Sequence, residues 1–89
     1  MNDSDAPTIE FPCDYPVKVM GETGDSFRSH VISVFELHAP GFDETRITIR
    51  DSSGGNYQSL TVTITATGEP QLQALFEDLK ASSLVKMVL

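Results

Sequence analysis

The chain has a single cysteine, Cys13, no tryptophan, and six basic residues against thirteen acidic ones. One thiol excludes an internal disulfide and a multi-cysteine zinc site, so any fold must rest on packing. It also suits a reducing compartment. No stretch approaches the roughly 18 apolar residues that a membrane-spanning helix needs. The first ten residues contain Asp3, Asp5 and Glu10 with neither a basic residue nor an apolar run. That is the reverse of a signal or transit peptide, and the expected location is cytoplasmic. A formal charge of −7 leaves no cationic surplus for phosphates, which argues against a nucleic-acid partner. At 89 residues the chain has room for one domain, near the lower size at which an apolar core suffices alone.

What is present is strong β patterning. Residues 46–67 hold two alternating runs around a Gly-rich turn, the signature of a two-faced hairpin. Ile47 and Ile49 would point inward and Arg46, Thr48 and Arg50 outward. After a turn over Asp51 to Asn56, a strand from Tyr57 to about Thr67 would bury Leu60, Val62, Ile64 and Ala66 and expose Thr61, Thr63 and Thr65. A first strand over Val17 to Gly21 buries Val17 and Val19, preceded by an extended lead-in, Phe11 to Pro16, whose rings pack on the body. Phe27, Val31, Val34, Phe35 and His38 recur at helical spacing, which predicts a helix over 25–38 with N-caps from Thr23 to Ser26 and a stop at Pro40-Gly41. Gly68-Glu69-Pro70 opens a second helix, and Leu72, Leu75, Phe76 and Leu79 form its stripe. Ser82-Ser83 ends it, and Leu84 to Leu89 makes a last strand. Residues 1–10 read as a mobile acidic tail and residues 11–89 as the domain.

Strand, helix, strand, strand, helix, strand is the βαββαβ order of a ferredoxin-like α+β sandwich. Right-handed crossovers place both helices on one face of a four-stranded antiparallel sheet in spatial order 4-1-3-2.

No motif declares a reaction. Cys13 has no neighbouring base to activate it. His30 and His38 are too few for a metal site, and no Ser-His-Asp order stands out. The expectation is therefore no enzyme, no metal and no cofactor. The loop Ser52 to Asn56 lacks the lysine and following helix of a P-loop. Two candidate sites remain. Gly21, Thr23, Gly24 and Ser26 lie where a strand meets a helix N-terminus, whose free N–H groups suit a small carboxylated metabolite. Lys18, Arg46, Arg50 and Lys86 fall on outward positions, so four of the six basic residues would share the helix-free sheet face among threonines, a surface for an acidic protein partner. The apolar last strand lies at a sheet edge and invites a homodimer, through that edge or through Met20, Leu84 and Val88 on the open face. RNA binding there would need stacking aromatics, and only Tyr57 is near.

Several strings resemble the YbeD-like family of small bacterial proteins of unknown function: Phe11-Pro12, Lys18-Val19-Met20-Gly21, His38-Ala39-Pro40-Gly41, Ser52-Ser53 followed by Gly55-Asn56-Tyr57, and Val85-Lys86-Met87-Val88-Leu89. The likeness covers about residues 10 to 89. It implies a ferredoxin-like domain similar to the ACT regulatory domains, without an assigned activity and with a genetic context near lipoate attachment. The chain departs from the general ACT pattern at Gly24-Asp25-Ser26-Phe27, which lacks the proline often found there. The functional expectation is a non-catalytic regulatory or protein-interaction module that senses a ligand, with an adaptor linked to lipoate metabolism as the alternative.

Overall fold

The computed structural model describes residues 10–89; the expected acidic tail lies, except for Glu10, outside the described residues. The elements are β1 (Cys13–Glu22), α1 (Asp25–His38), a single 3₁₀ turn (Glu44–Arg46), β2 (Thr48–Asp51), β3 (Tyr57–Ala66), α2 (Glu69–Lys80) and β4 (Val85–Val88). The strands form one antiparallel sheet in the order β2-β3-β1-β4, which is the anticipated ferredoxin-like order read from the other edge.

Alternation builds the core. Val17 and Val19 of β1 stand opposite Val62 and Leu60 of β3, and all four are essentially inaccessible to solvent. Ile64 and Ala66 continue that face, and Phe27, Val31, Val34 and Phe35 of α1 close over it with Leu72, Leu75 and Leu79 of α2. The helices are locked at one end by polar contacts. His38 Nε2 lies 2.9 Å from Asp78 Oδ2, Gln71 Nε2 donates to the His38 carbonyl at 2.9 Å, and Gln71 Oε1 accepts from the Thr67 N–H at 2.8 Å.

Four expectations are corrected. β1 begins at Cys13, so residues 13–16 of the expected lead-in are strand, paired with Ala66 to Thr63. Pro16 is tolerated because even-numbered β1 residues turn their N–H toward β4, as Lys18 does in bonding Leu89, and β4 stops short of position 16. The α1 N-cap is Gly24 at φ 151°, with no side-chain cap from Thr23, Asp25 or Ser26. β2 starts at Thr48. Asp43 accepts hydrogen bonds from Thr45 N and Oγ1 at 2.9 and 2.6 Å, which winds residues 44–46 into the 3₁₀ turn and takes Arg46 out of the ladder. Ile49, although on the inward parity, is half exposed because β2 is an edge strand. Finally, Val88 faces the core opposite Val19, and Leu84 packs against the core as well, so neither belongs to the open face.

Candidate functional site

The helix-free face of the sheet follows from the register. Lys18 of β1 and Thr48 of β2 both stand opposite Thr61 of β3; Met20 and Arg50 both stand opposite Ser59. Met87 pairs with Met20, and Leu89 exchanges both backbone hydrogen bonds with Lys18, which brings both side chains to the same face. Met87 is 49 % and Leu89 62 % exposed. Met20, Met87 and Leu89 thus form an apolar patch around Lys18 on β1 and β4, with Thr61 on the neighbouring β3 and Thr48 one strand further.

The four basic residues read from the sequence are not equivalent there. Lys18 and Arg50 stand on the face, and among the described residues no carboxylate lies within 4 Å of either. Lys86 sits at the register shift between Met20 and Gly21, where its Nζ pairs with Glu22 at 3.2 Å and donates to the Ser83 carbonyl. Arg46 lies in the 3₁₀ turn at the far end, beside Asp43. The hydrogen bonds that Asp43 accepts from the Thr45 hydroxyl and N–H hold its carboxyl below the ordinary value against an opposing desolvation, and Arg46 adds the smallest lowering.

The β1–α1 turn brings Gly21, Thr23, Gly24 and Ser26 together at the opposite end. Gly21 is buried, and a Cβ there would collide with the Leu84 carbonyl and the Phe27 ring. Thr23 N–H is bound to the Asn56 carbonyl at 3.1 Å. Asp25 engages Arg28, whose Nη1 donates to Gln58 Oε1, and Gln58 donates in turn to Asp51 at 2.9 Å. These contacts tie the turn to the sheet.

Sequence reasoning missed a further concavity. A cavity of about 490 Å³ is lined by Asp14 of β1, the segment from His38 to Asp43, Arg46, and Thr63 to Thr65 of β3. It exists because the 3₁₀ turn pulls the chain off the β3 edge. The signal available was Asp43-Glu44-Thr45, an acidic residue placed to bond the backbone two residues on. Among the described residues no group of three or more His, Cys, Asp and Glu could hold a metal, and no helix is long and apolar enough to cross a membrane.

A family model described as "Protein of unknown function (DUF493)" matches residues 6–89. The chain is 49% identical over 92 residues to a "UPF0250 protein" of Azotobacter vinelandii and 50% identical over 92 residues to one of Ectopseudomonas mendocina, with 100% of both chains covered in each case. Among solved structures, the solution structure of protein HP0495 from H. pylori is similar at a TM-score of 0.75 and 21% identity, over 98% of this chain and 91% of that one. The ACT domain from GTP pyrophosphokinase of Chlorobium tepidum is similar at a TM-score of 0.62 and 14% identity, over 85% of this chain and 84% of that one. At those identities the structural likeness speaks for the fold alone.

Proposed function

The chain belongs to the DUF493 family, whose description assigns no activity, and we propose that it is a non-catalytic interaction module that meets an acidic protein partner with its open sheet face. One observation carries this reading. Lys18 and Arg50, with no carboxylate within 4 Å among the described residues, lie on the β2-facing side of an exposed apolar patch, on a chain whose net charge is −7. An apolar patch gives the contact area, and adjacent cations give orientation and a preference for acidic surfaces.

A second copy of the chain fits the face less well. An isologous dimer sets the same patch against itself, so Lys18 and Arg50 would face like charges. The bulge at Met20/Gly21 and the charged Lys86 also blunt the β4 side against strand pairing. A small-carboxylate sensor at the β1–α1 turn is the competing role. Its support is the uncapped first turn of α1 at Gly24, weakened by Asp25 beside it.

The test is affinity capture from bacterial extract, with lipoate-attachment proteins as the first candidates to assay directly. The double variant Lys18→Glu/Arg50→Glu should lose the captured partner, while Lys80→Glu on α2 should retain it. Equal recovery with all three forms would reject the face. A melting temperature raised by amino acids or lipoate-related metabolites, and unaffected by the double variant, would favour the sensor.

A further inference from the structure

The short β2 leaves part of β3 without a neighbour. Ser52 N–H donates to the Tyr57 carbonyl at 2.8 Å, and the pairs Arg50↔Ser59 and Thr48↔Thr61 repeat that relation every second residue. Odd-numbered residues of β3 therefore turn their backbone N–H and C=O toward β2. Thr63 and Thr65 do so where β2 has not yet begun, and the next group along, Thr67 N–H, is taken by Gln71 Oε1. The exposed edge is thus two residues long, with two donors and two acceptors.

We propose that the cavity between this edge and the α1–β2 segment binds a short extended peptide with free ends, added to β3 as an extra strand, its carboxylate held by Arg46. The volume of about 490 Å³ falls within the range of roughly 300–1,000 Å³ typical of small-ligand sites. Strand addition supplies affinity through main-chain bonds and tolerates varied side chains. Phe42 and Ala39 give the pocket an apolar wall, Phe42 being held by Phe35 with ring centroids 5.9 Å apart.

Charge sets the direction. Arg46 and Asp14 both line the cavity, and no opposite charge lies within 4 Å of either among the described residues. Asp43 also lines the cavity and keeps its charge while accepting from Thr45, so a bound carboxylate competes with it for Arg46. Asp14 of β1 stands opposite Thr65 of β3 and lines the cavity, so the acidic end of the site is at Thr65. Arg46 precedes Thr48 by two residues, and Thr48 stands opposite Thr61, which places the basic end toward Thr63. A strand antiparallel to β3 enters at Thr65 and leaves at Thr63. Its ammonium then meets Asp14 and its carboxylate meets Arg46, whereas the parallel orientation sets like charges together.

The test is amide-resolved NMR titration of the full chain with trialanine, its N-acetyl and C-amide derivatives, and alanine. Trialanine should give saturable shifts at the Thr63 and Thr65 amides, and C-amidation should weaken it about tenfold. Arg46→Ala, an exposed position, should weaken trialanine by the same factor and abolish the difference between the acid and the amide. The absence of saturable shifts up to about 10 mM, well past weak millimolar binding, overturns the proposal. So does alanine binding as tightly as trialanine, or an amidation penalty that persists in Arg46→Ala. Lys18→Glu/Arg50→Glu, which tests the sheet face, should leave trialanine binding unchanged.

Discussion

Leu60 and Ile49 are partners in the β2–β3 register and share the inward parity, yet Leu60 is fully buried and Ile49 is 50 % exposed. The same chemical change at the two positions should therefore differ several-fold in cost. Leu60→Ala removes buried methyl groups beneath two helices and leaves a closed void, a loss of about 3–4 kcal/mol within the range seen for such truncations. Ile49→Ala gives up roughly half the transfer energy of its side chain and opens no cavity, a loss of about 1 kcal/mol or less. At about 4–8 °C per kcal/mol for a domain of this size, the melting temperature should fall by roughly 12–30 °C for Leu60→Ala and by under about 8 °C for Ile49→Ala. Urea unfolding followed by circular dichroism should show the midpoint moving in the same proportion with unchanged slope. Equal losses at the two positions, or a loss below about 1 kcal/mol for Leu60→Ala, would refute the register on which both proposed surfaces rest.

Gly21→Ala should destabilise by about 1–3 kcal/mol, the usual penalty of overpacking, because the new methyl meets the Leu84 backbone carbonyl as well as the Phe27 ring; denaturant melts measure it, and a neutral result would mean that β4 can shift. Asp43 supplies a pH test. Its folded-state carboxyl lies below the unfolded value because Thr45 bonds the charged form, so its contribution to the 3₁₀ turn is present above the ordinary carboxylate range and is lost as pH falls through the folded value. Exchange of the Thr45 amide with solvent, corrected for intrinsic rate, should speed up below about pH 4, and the Asp43→Ala variant should show the faster exchange at neutral pH; exchange with no such dependence contradicts the role given to Asp43.

The fold was legible because its long elements obey one period each. Val17, Val19, Leu60, Val62 and Ile64 alternate without interruption, and the stripes on α1 and α2 repeat every three to four residues, so period alone assigned most of the apolar core, Ile49 at the sheet edge being the exception. The ends of elements were not legible, for reasons that are local. Pro16 looks like a strand breaker until the neighbouring strand is known to end before it. Arg46-Ile47-Thr48-Ile49 reads as continuous alternation, but Asp43 captures Thr45 and winds the chain before the ladder begins. The same turn separates Arg46 from Lys18 and Arg50, and it opens the cavity that no alternation pattern could announce. Lys86 shares a face with Glu22 only because of a bulge, which pattern reading cannot locate.

The charge of −7 and the proposed docking of an acidic partner on the open face are compatible where screening separates the face from the helix acids. Asp14 and Glu22 share the outward parity of Lys18 on β1, Glu22 being paired with Lys86, whereas Asp25, Glu36, Glu69, Glu77 and Asp78 belong to the two helices, on the far side of the core from Lys18 and Arg50. At physiological ionic strength the Debye length is about 8 Å, so the helix acids are largely hidden from a partner on the open face; at 0.01 M it is about 30 Å, and the whole negative charge is felt. Association with an acidic partner should accordingly speed up as salt rises from about 0.01 M toward 0.1 M, then slow as Lys18 and Arg50 are themselves screened. Stopped-flow rates across that series measure the turnover. A rate that falls from the lowest salt onward would show that the face outweighs the net charge at every range, and one that only rises would show that the two cations play no part in the encounter.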